Sequence, residues 1–216
     1  MRAFGLIGIV ALLGSAVAAI STRRMFRHDM ADVSEDLEAG SNLVCTDFGW
    51  VEYGREGQGP AALVIRGAGG GYDQGLFVGR ELFGPGYDVV APSRFGYLRT
   101  DFPEAHHPCA QADAHAQLLD RLQIGRAVVL GISAGAPGAI KLALRHPDRV
   151  AALLLVVPRT YAPGIEVSAE KTAANRPILD TKTGGHLLAG RTEEVRARIA
   201  GFLRDRITMR RRKAAV

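Results

Sequence analysis

Two cysteines and one tryptophan are all that 216 residues hold of those types, and aromatic side chains make up only 6% of the chain. Cys45 and Cys109 are too far apart for a redox C-x-x-C or a finger-type zinc pair. A domain of this length needs no covalent staple, so they read as two ordinary thiols, with a disulfide as the alternative if the domain is exported. Interleaved basic and aromatic residues are also lacking. The chain carries a formal charge of +5, but residues 204–213 (RDRITMRRRK) hold six basic side chains and one acid, which is the whole excess. Residues 1–203 are formally neutral, so no phosphate-binding face is expected and nucleic acid is not an expected partner. Repeats and low-complexity blocks are missing too. Hydrophobic residues at 47% and charged residues at 23% match soluble globular proteins, which excludes a wholly disordered, collagen-like or polytopic membrane chain.

What is present begins with Phe4 to Ile20 (FGLIGIVALLGSAVAAI), an uncharged run behind Arg2 with a small-residue Ala16-Val17-Ala18 site. As a helix it reaches about 25 Å, a little short of a roughly 30 Å hydrocarbon core. Residues 1–27 are therefore expected to be a signal peptide or an N-terminal membrane anchor, giving an exported or membrane-anchored protein. Arg23, Arg24 and Arg27 follow the run and conflict with simple N-in insertion, which leaves the topology open. Residues 28–42, polar and acidic, read as a linker or short surface helix; 43–207 read as the folded domain and 208–216 as a basic tail.

Inside the domain, Leu43–Asp47 and Trp50–Tyr53 suggest an antiparallel opening pair. The continuous apolar run Ala61–Ile65 (AALVI) fits a strand buried on both faces. Further strands are expected at Tyr87–Ala91, Ala127–Leu130 and Val150–Val157, and helices at Leu76–Phe83, Ala110–Leu122, Ala134–Arg145 and Thr192–Ile207. Ile178–Thr181 could add a last short strand. This alternation is the pattern of an α/β domain with a mainly parallel sheet between helices.

Gly131-Ile132-Ser133-Ala134-Gly135 stands directly between a strand and a helix. A serine on such a sharp turn projects its hydroxyl above the sheet edge, and the flanking glycines remove side chains that would collide there. The hydroxyl is a weak nucleophile unless a base takes its proton. His186, in Gly184-Gly185-His186-Leu187 ahead of the last helix, is the best placed; His146 is expected at the opposite edge, His115 within a helix and His28 in the linker. His106-His107-Pro108 has no evident third ligand and reads as a solvated loop rather than a metal site. Arg66 to Gly71 (RGAGGG) follows the third strand and can offer the Ala68 N–H to a developing oxyanion, with the Ala134 N–H as second donor. A phosphate cradle is the rival use of that loop, but the G-x-x-x-x-G-K-[ST] lysine and the G-x-G-x-x-G spacing are both missing.

Over roughly Gly49 to Leu203 the chain resembles the α/β-hydrolase family. The resemblance rests on the glycine-rich loop 66–71, Pro92-Ser93-Arg94-Phe95-Gly96-Tyr97, the elbow at Ser133, Arg145-His146-Pro147-Asp148-Arg149-Val150, and Gly185-His186. It implies a three-layer sandwich with antiparallel first strands, the chain order Ser, acid, His, and hydrolysis of an ester-type or related carbonyl of a small molecule without a metal or organic cofactor. Serine in place of aspartate argues against dehalogenase and epoxide-hydrolase chemistry. Two departures stand out: Arg66 replaces the histidine common before the oxyanion loop, and only 53 positions separate Ser133 from His186, so the lid and one α/β unit are expected to be missing. Glu166, Glu170 and Asp180 remain as candidates for the acid, with Glu166 preferred because it follows a strand expected to end at the sheet's carboxyl edge. The competing expectation is a catalytically weak remnant of this fold that serves as a binding or structural protein.

Overall fold

The computed structural model of the chain describes residues 2–158 and 192–214. It divides into two compact units, Met1–Gly40 and Ser41–Val216. The first is one helix, α1 (Arg2–Ala39), which runs through the apolar leader and on through the polar stretch behind it. No glycine or proline interrupts residues 15–39, and Gly40 ends the helix, its N–H donating to the Asp36 carbonyl at 3.1 Å. Among the described residues no helix is long and apolar enough to cross a membrane; the side chains of residues 2–13 lie outside that description.

The second unit is a six-stranded sheet with helices on both faces. Its elements are β1 (Asn42–Thr46), β2 (Gly49–Glu56), β3 (Ala61–Ile65), α2 (Tyr72–Phe83), β4 (Asp88–Pro92), α3 (Pro108–Arg121), β5 (Ala127–Ile132), α4 (Ala136–Arg145), β6 (Val150–Val156) and α5 (Thr192–Ala214). The strand order is β1-β2-β4-β3-β5-β6. β1 and β2 pair antiparallel, as do β2 and β4, while β3, β4, β5 and β6 run parallel. The expected α/β fold with antiparallel first strands is therefore the one found.

The apolar run of β3 shows why the sheet is covered twice. Side chains alternate along a strand, so Leu63 and Ile65 enter one core with Leu118, Leu119 and Leu142 from α3 and α4. Ala62 and Val64 enter the other with Leu82 and Phe83 from α2 and Val195, Ile199 and Leu203 from α5. The three α5 residues recur every four positions, one helical stripe. Differences from the expected boundaries are local. α2 starts at Tyr72 rather than Leu76, because Asp73 favours a helix start and the Tyr72 N–H finds a buried acceptor in Ser93 Oγ at 3.0 Å. α4 starts two residues later than expected, after a 3-10 turn over Ser133–Gly135.

Candidate active site

β3, β4 and β5 all end at one edge of the sheet, and the motif residues gather there. Ser133 follows the last residue of β5 and is 8% exposed, with φ +51°. A non-glycine residue in the left-handed region stores roughly 1–3 kcal/mol of strain and persists only where its surroundings enforce it. The surroundings here are close. A Cβ on Gly135 would lie 2.3 Å from the Ile65 carbonyl oxygen, and one on Gly131 would lie 2.6 Å from Ala139 Cβ. The start of α4 is thus pressed against the end of β3, and the serine takes up the bend. Ala134 is the second residue of the 3-10 turn, so its N–H has no acceptor within that turn.

The loop after β3 touches this turn. A Cβ on Gly67 would sit 2.9 Å from Ser133 Cβ and 3.3 Å from the Ala134 nitrogen, which places the loop backbone directly beside the serine. Ala68 is next in the chain and exposed. On its entry side, Arg66 Nε and Nη2 both donate to Gln74 Oε1 at 3.2 Å, and Gln74 Nε2 donates to the Gly69 carbonyl at 3.1 Å. Arg66, in the position where a histidine is common, therefore clips the loop to the first turn of α2.

The exit of the same loop is held by a polar hub that the sequence reading did not pick out. Glu52 on β2 is 1% exposed. Its Oε1 accepts from Arg99 Nε at 2.8 Å and Ser41 Oγ at 2.7 Å, and its Oε2 accepts from Ser93 Oγ at 3.0 Å. Ser93 Oγ in turn accepts the Tyr72 N–H at the end of the loop. Thr100 closes the ring, accepting from the Glu52 N–H at 3.0 Å and donating to the Ser93 carbonyl at 3.1 Å. A buried carboxylate is stable only when so fully bonded. Strand alternation sets Glu52 on the face opposite Val51 and Tyr53, so in the sequence it reads as an ordinary solvent-facing acid.

A cleft of about 190 Å³ opens beside the serine turn, walled by Ile65, Arg94, His106, Gln111, Ala134 and the first turn of α4. His106 stacks on Phe102 at 4.6 Å between ring centroids, and its Nδ1 lies 2.9 Å from the Glu104 carbonyl. A carbonyl only accepts, so Nδ1 carries the proton and Nε2 is the free nitrogen. His107 turns the other way and caps α3, accepting the Ala110 N–H at 3.2 Å. Gln111 is buried; its Oε1 accepts the Phe95 N–H at 3.0 Å and its amide nitrogen lies 3.3 Å from His115 Nε2. Burial first, and the Arg94 charge second, push the His115 pKa down to about 3, so this histidine is neutral at ordinary pH.

The remaining expectations divide by place. His186, Glu166, Glu170, Asp180 and the strand expected at Ile178–Thr181 lie outside the described residues. His146 sits at the far end of α4, its Nε2 2.7 Å from Asp113 Oδ1, away from Ser133. Cys45 and Cys109 are both free thiols. Among the described residues no group of three or more His, Cys, Asp or Glu side chains could hold a metal ion.

Residues 60–181 match the family model described as the alpha/beta hydrolase fold. Among curated proteins, the uncharacterized hydrolase YcgS of Bacillus subtilis is 36% identical over 110 residues, which cover 50% of this chain and 38% of that protein. Lipase LipV of Mycobacterium tuberculosis is 30% identical over 129 residues, 49% of each chain. A 2-hydroxy-6-oxo-6-phenylhexa-2,4-dienoate hydrolase of Burkholderia cepacia is 31% identical over 108 residues, covering 47% of this chain and 37% of that one. Among solved structures, an alpha/beta hydrolase fold protein from Nakamurella multipartita superposes with a TM-score of 0.53 at 38% identity, over 61% of this chain and 46% of that one. The chain spans at most about half the length of each of these relatives.

Proposed function

The chain belongs to the alpha/beta hydrolase fold family, and from that membership we propose that it is a serine hydrolase of acyl, ester-type substrates. The observation that carries the reading is Ser133 itself, held at φ +51° on a strand-to-helix turn with the loop after β3 against its backbone. In this scheme Ser133 Oγ attacks the carbonyl carbon while His186 takes its proton. The N–H groups of Ala68 and Ala134 hold the resulting oxyanion, each donor contributing on the order of 3 kcal/mol. His186 then passes the proton to the leaving oxygen as the carbon–oxygen bond breaks, and water reverses the sequence to release the acid. Glu166 is the proposed partner of His186 Nδ1. No metal or organic cofactor takes part in this scheme.

A fluorophosphonate probe tests the reading, because it reacts only with an activated serine. Covalent labelling of the whole chain that disappears in Ser133→Ala supports it. An unlabelled, folded chain would overturn it and leave a binding role for the fold. The leader carries a separate proposal: the uncharged run Phe4–Ile20 directs export or membrane association. Fractionation of expressing cells checks this, and recovery of the chain wholly in the cytosolic fraction would refute it.

A further inference from the structure

The cleft beside Ser133 carries a charge that a neutral ester does not call for. Arg94 is half-buried in its wall. A guanidinium keeps its charge at any ordinary pH and has five N–H donors to satisfy. Among the described residues no carboxylate or carbonyl accepts from it; its described contact is the Tyr97 ring, 5.8 Å from Cζ. Four other arginines of the sheet unit each pair with an acid. Arg55 holds Asp88, Arg99 holds Glu52, Arg145 holds Asp113 and Arg149 holds Asp120. The groups around Arg94 add to its potential rather than offset it. Among the described residues no acid lines the cleft, and the first turn of α4 there has neither a side-chain cap nor an acidic residue. Buried Gln111 spends its carbonyl on the Phe95 N–H and faces neutral His115 with its amide, so its carbonyl is not free to serve as a counter-group.

We infer that the cleft receives a carboxylate carried by the substrate itself, with Arg94 as its counter-ion. This deepens the hydrolase reading above and rests on it. The substrate class that follows is a half-ester of a short dicarboxylic acid, or a similar acyl compound with an anionic arm. A volume of about 190 Å³ equals roughly six water molecules, enough for a carboxylate and a few methylenes. The planar fork of Arg94 suits a two-oxygen acceptor, and an ion-paired hydrogen bond of this kind is the strong sort.

Two esters of matched length decide the matter: p-nitrophenyl hemiglutarate, whose acyl arm ends in a carboxylate, and p-nitrophenyl pentanoate, whose arm does not. The full chain is expected to favour the hemiglutarate in kcat/KM by about tenfold or more. Arg94→Gln should bring that ratio towards one and Arg94→Lys should keep part of it, with urea melts confirming that both variants fold. A wild-type ratio near one, or a ratio unchanged in Arg94→Gln, would overturn the inference while leaving the hydrolase reading intact. If neither ester is cleaved, the hydrolase reading fails and glutarate binding, measured by calorimetry, still decides the cleft. Binding weakened about tenfold by Arg94→Gln supports it; equal or undetectable binding refutes it.

Discussion

The two ends of the parallel sheet are built on opposite rules. At the end where β5 and β6 begin, the charges are tied to neighbours. Arg145 grips both oxygens of Asp113 at 2.8 and 2.9 Å, His146 adds a third contact at 2.7 Å, Arg126 donates to the Val150 carbonyl, and Arg149 donates to the Ile124 carbonyl. At the end where β3, β4 and β5 finish, three non-glycine residues, Leu98, Ser133 and Val157, hold positive φ, and Arg94 has no acid among the described residues. One end ties its charges down and holds one such residue, Gln123; the other gathers three and keeps charge in reserve. A scaffold can hold such features only where its remainder is well bonded.

That contrast predicts which substitutions change turnover and which change stability. Ser133→Ala should lower ester hydrolysis by at least about a thousandfold while leaving the urea midpoint nearly unmoved. A stopped-flow or plate assay showing near wild-type turnover would break the assignment. Glu52→Ala should lower stability by about 3 kcal/mol, because Arg99 is left without its buried acceptor. It should also slow probe labelling, since the Ser93 contact to Tyr72 loses its anchor. Stability lost with labelling unchanged would show that the hub serves the fold alone.

His115 sharpens the comparison through pH. Its folded pKa lies near 3, below the ordinary 6.5, so the unfolded chain binds the extra proton as pH falls. The stabilising effect is complete above about 6.5 and shrinks by roughly 1.4 kcal/mol per unit below that, down to about 3. His115→Leu should therefore flatten the stability profile between those values in urea melts at stepped pH; an unchanged slope would count against a buried neutral histidine. The smallest effect belongs to the far end. Arg145 first, and His146 with it, hold the Asp113 carboxyl below its usual range, so this clamp is present above pH 4 and lost as pH falls through the lowered value. Asp113→Asn should lower Tm at pH 7 by only about two degrees, as a partly exposed pair allows, with turnover untouched. Lost turnover in this variant would join two ends that the structure keeps apart.

The sheet was legible because its strands advertise themselves. AALVI and VAALLLVV are continuous apolar runs, which only a doubly covered strand tolerates, and the glycines around Ser133 mark a bend that other residues would block. The start of α2 was not legible, because its helix signal depends on Ser93, 21 positions away. Glu52 escaped for the same reason: its partners, Ser41, Ser93 and Arg99, are scattered along the chain and meet only when β2 lies beside β4. His106 reads as part of a solvated loop and Arg94 as one residue of a motif, since a cleft exists only between elements. Local pattern reveals what each segment does alone, whereas the hub and the cleft are properties of pairing.

The Glu52 hub also sets an order in time. Ser41 and Arg99 stand 58 positions apart and share Glu52, so the ring closes only after β4 has docked on β2. Loop closure over that span is entropically unfavourable before any contact compensates for it. The turn at Gly71–Tyr72 therefore acquires its final shape late in folding, when the surrounding layers are already in place. A chain emerging from the ribosome should have a recognisable sheet before the loop beside Ser133 is rigid, and reactivity at Ser133 should mature after the fold does.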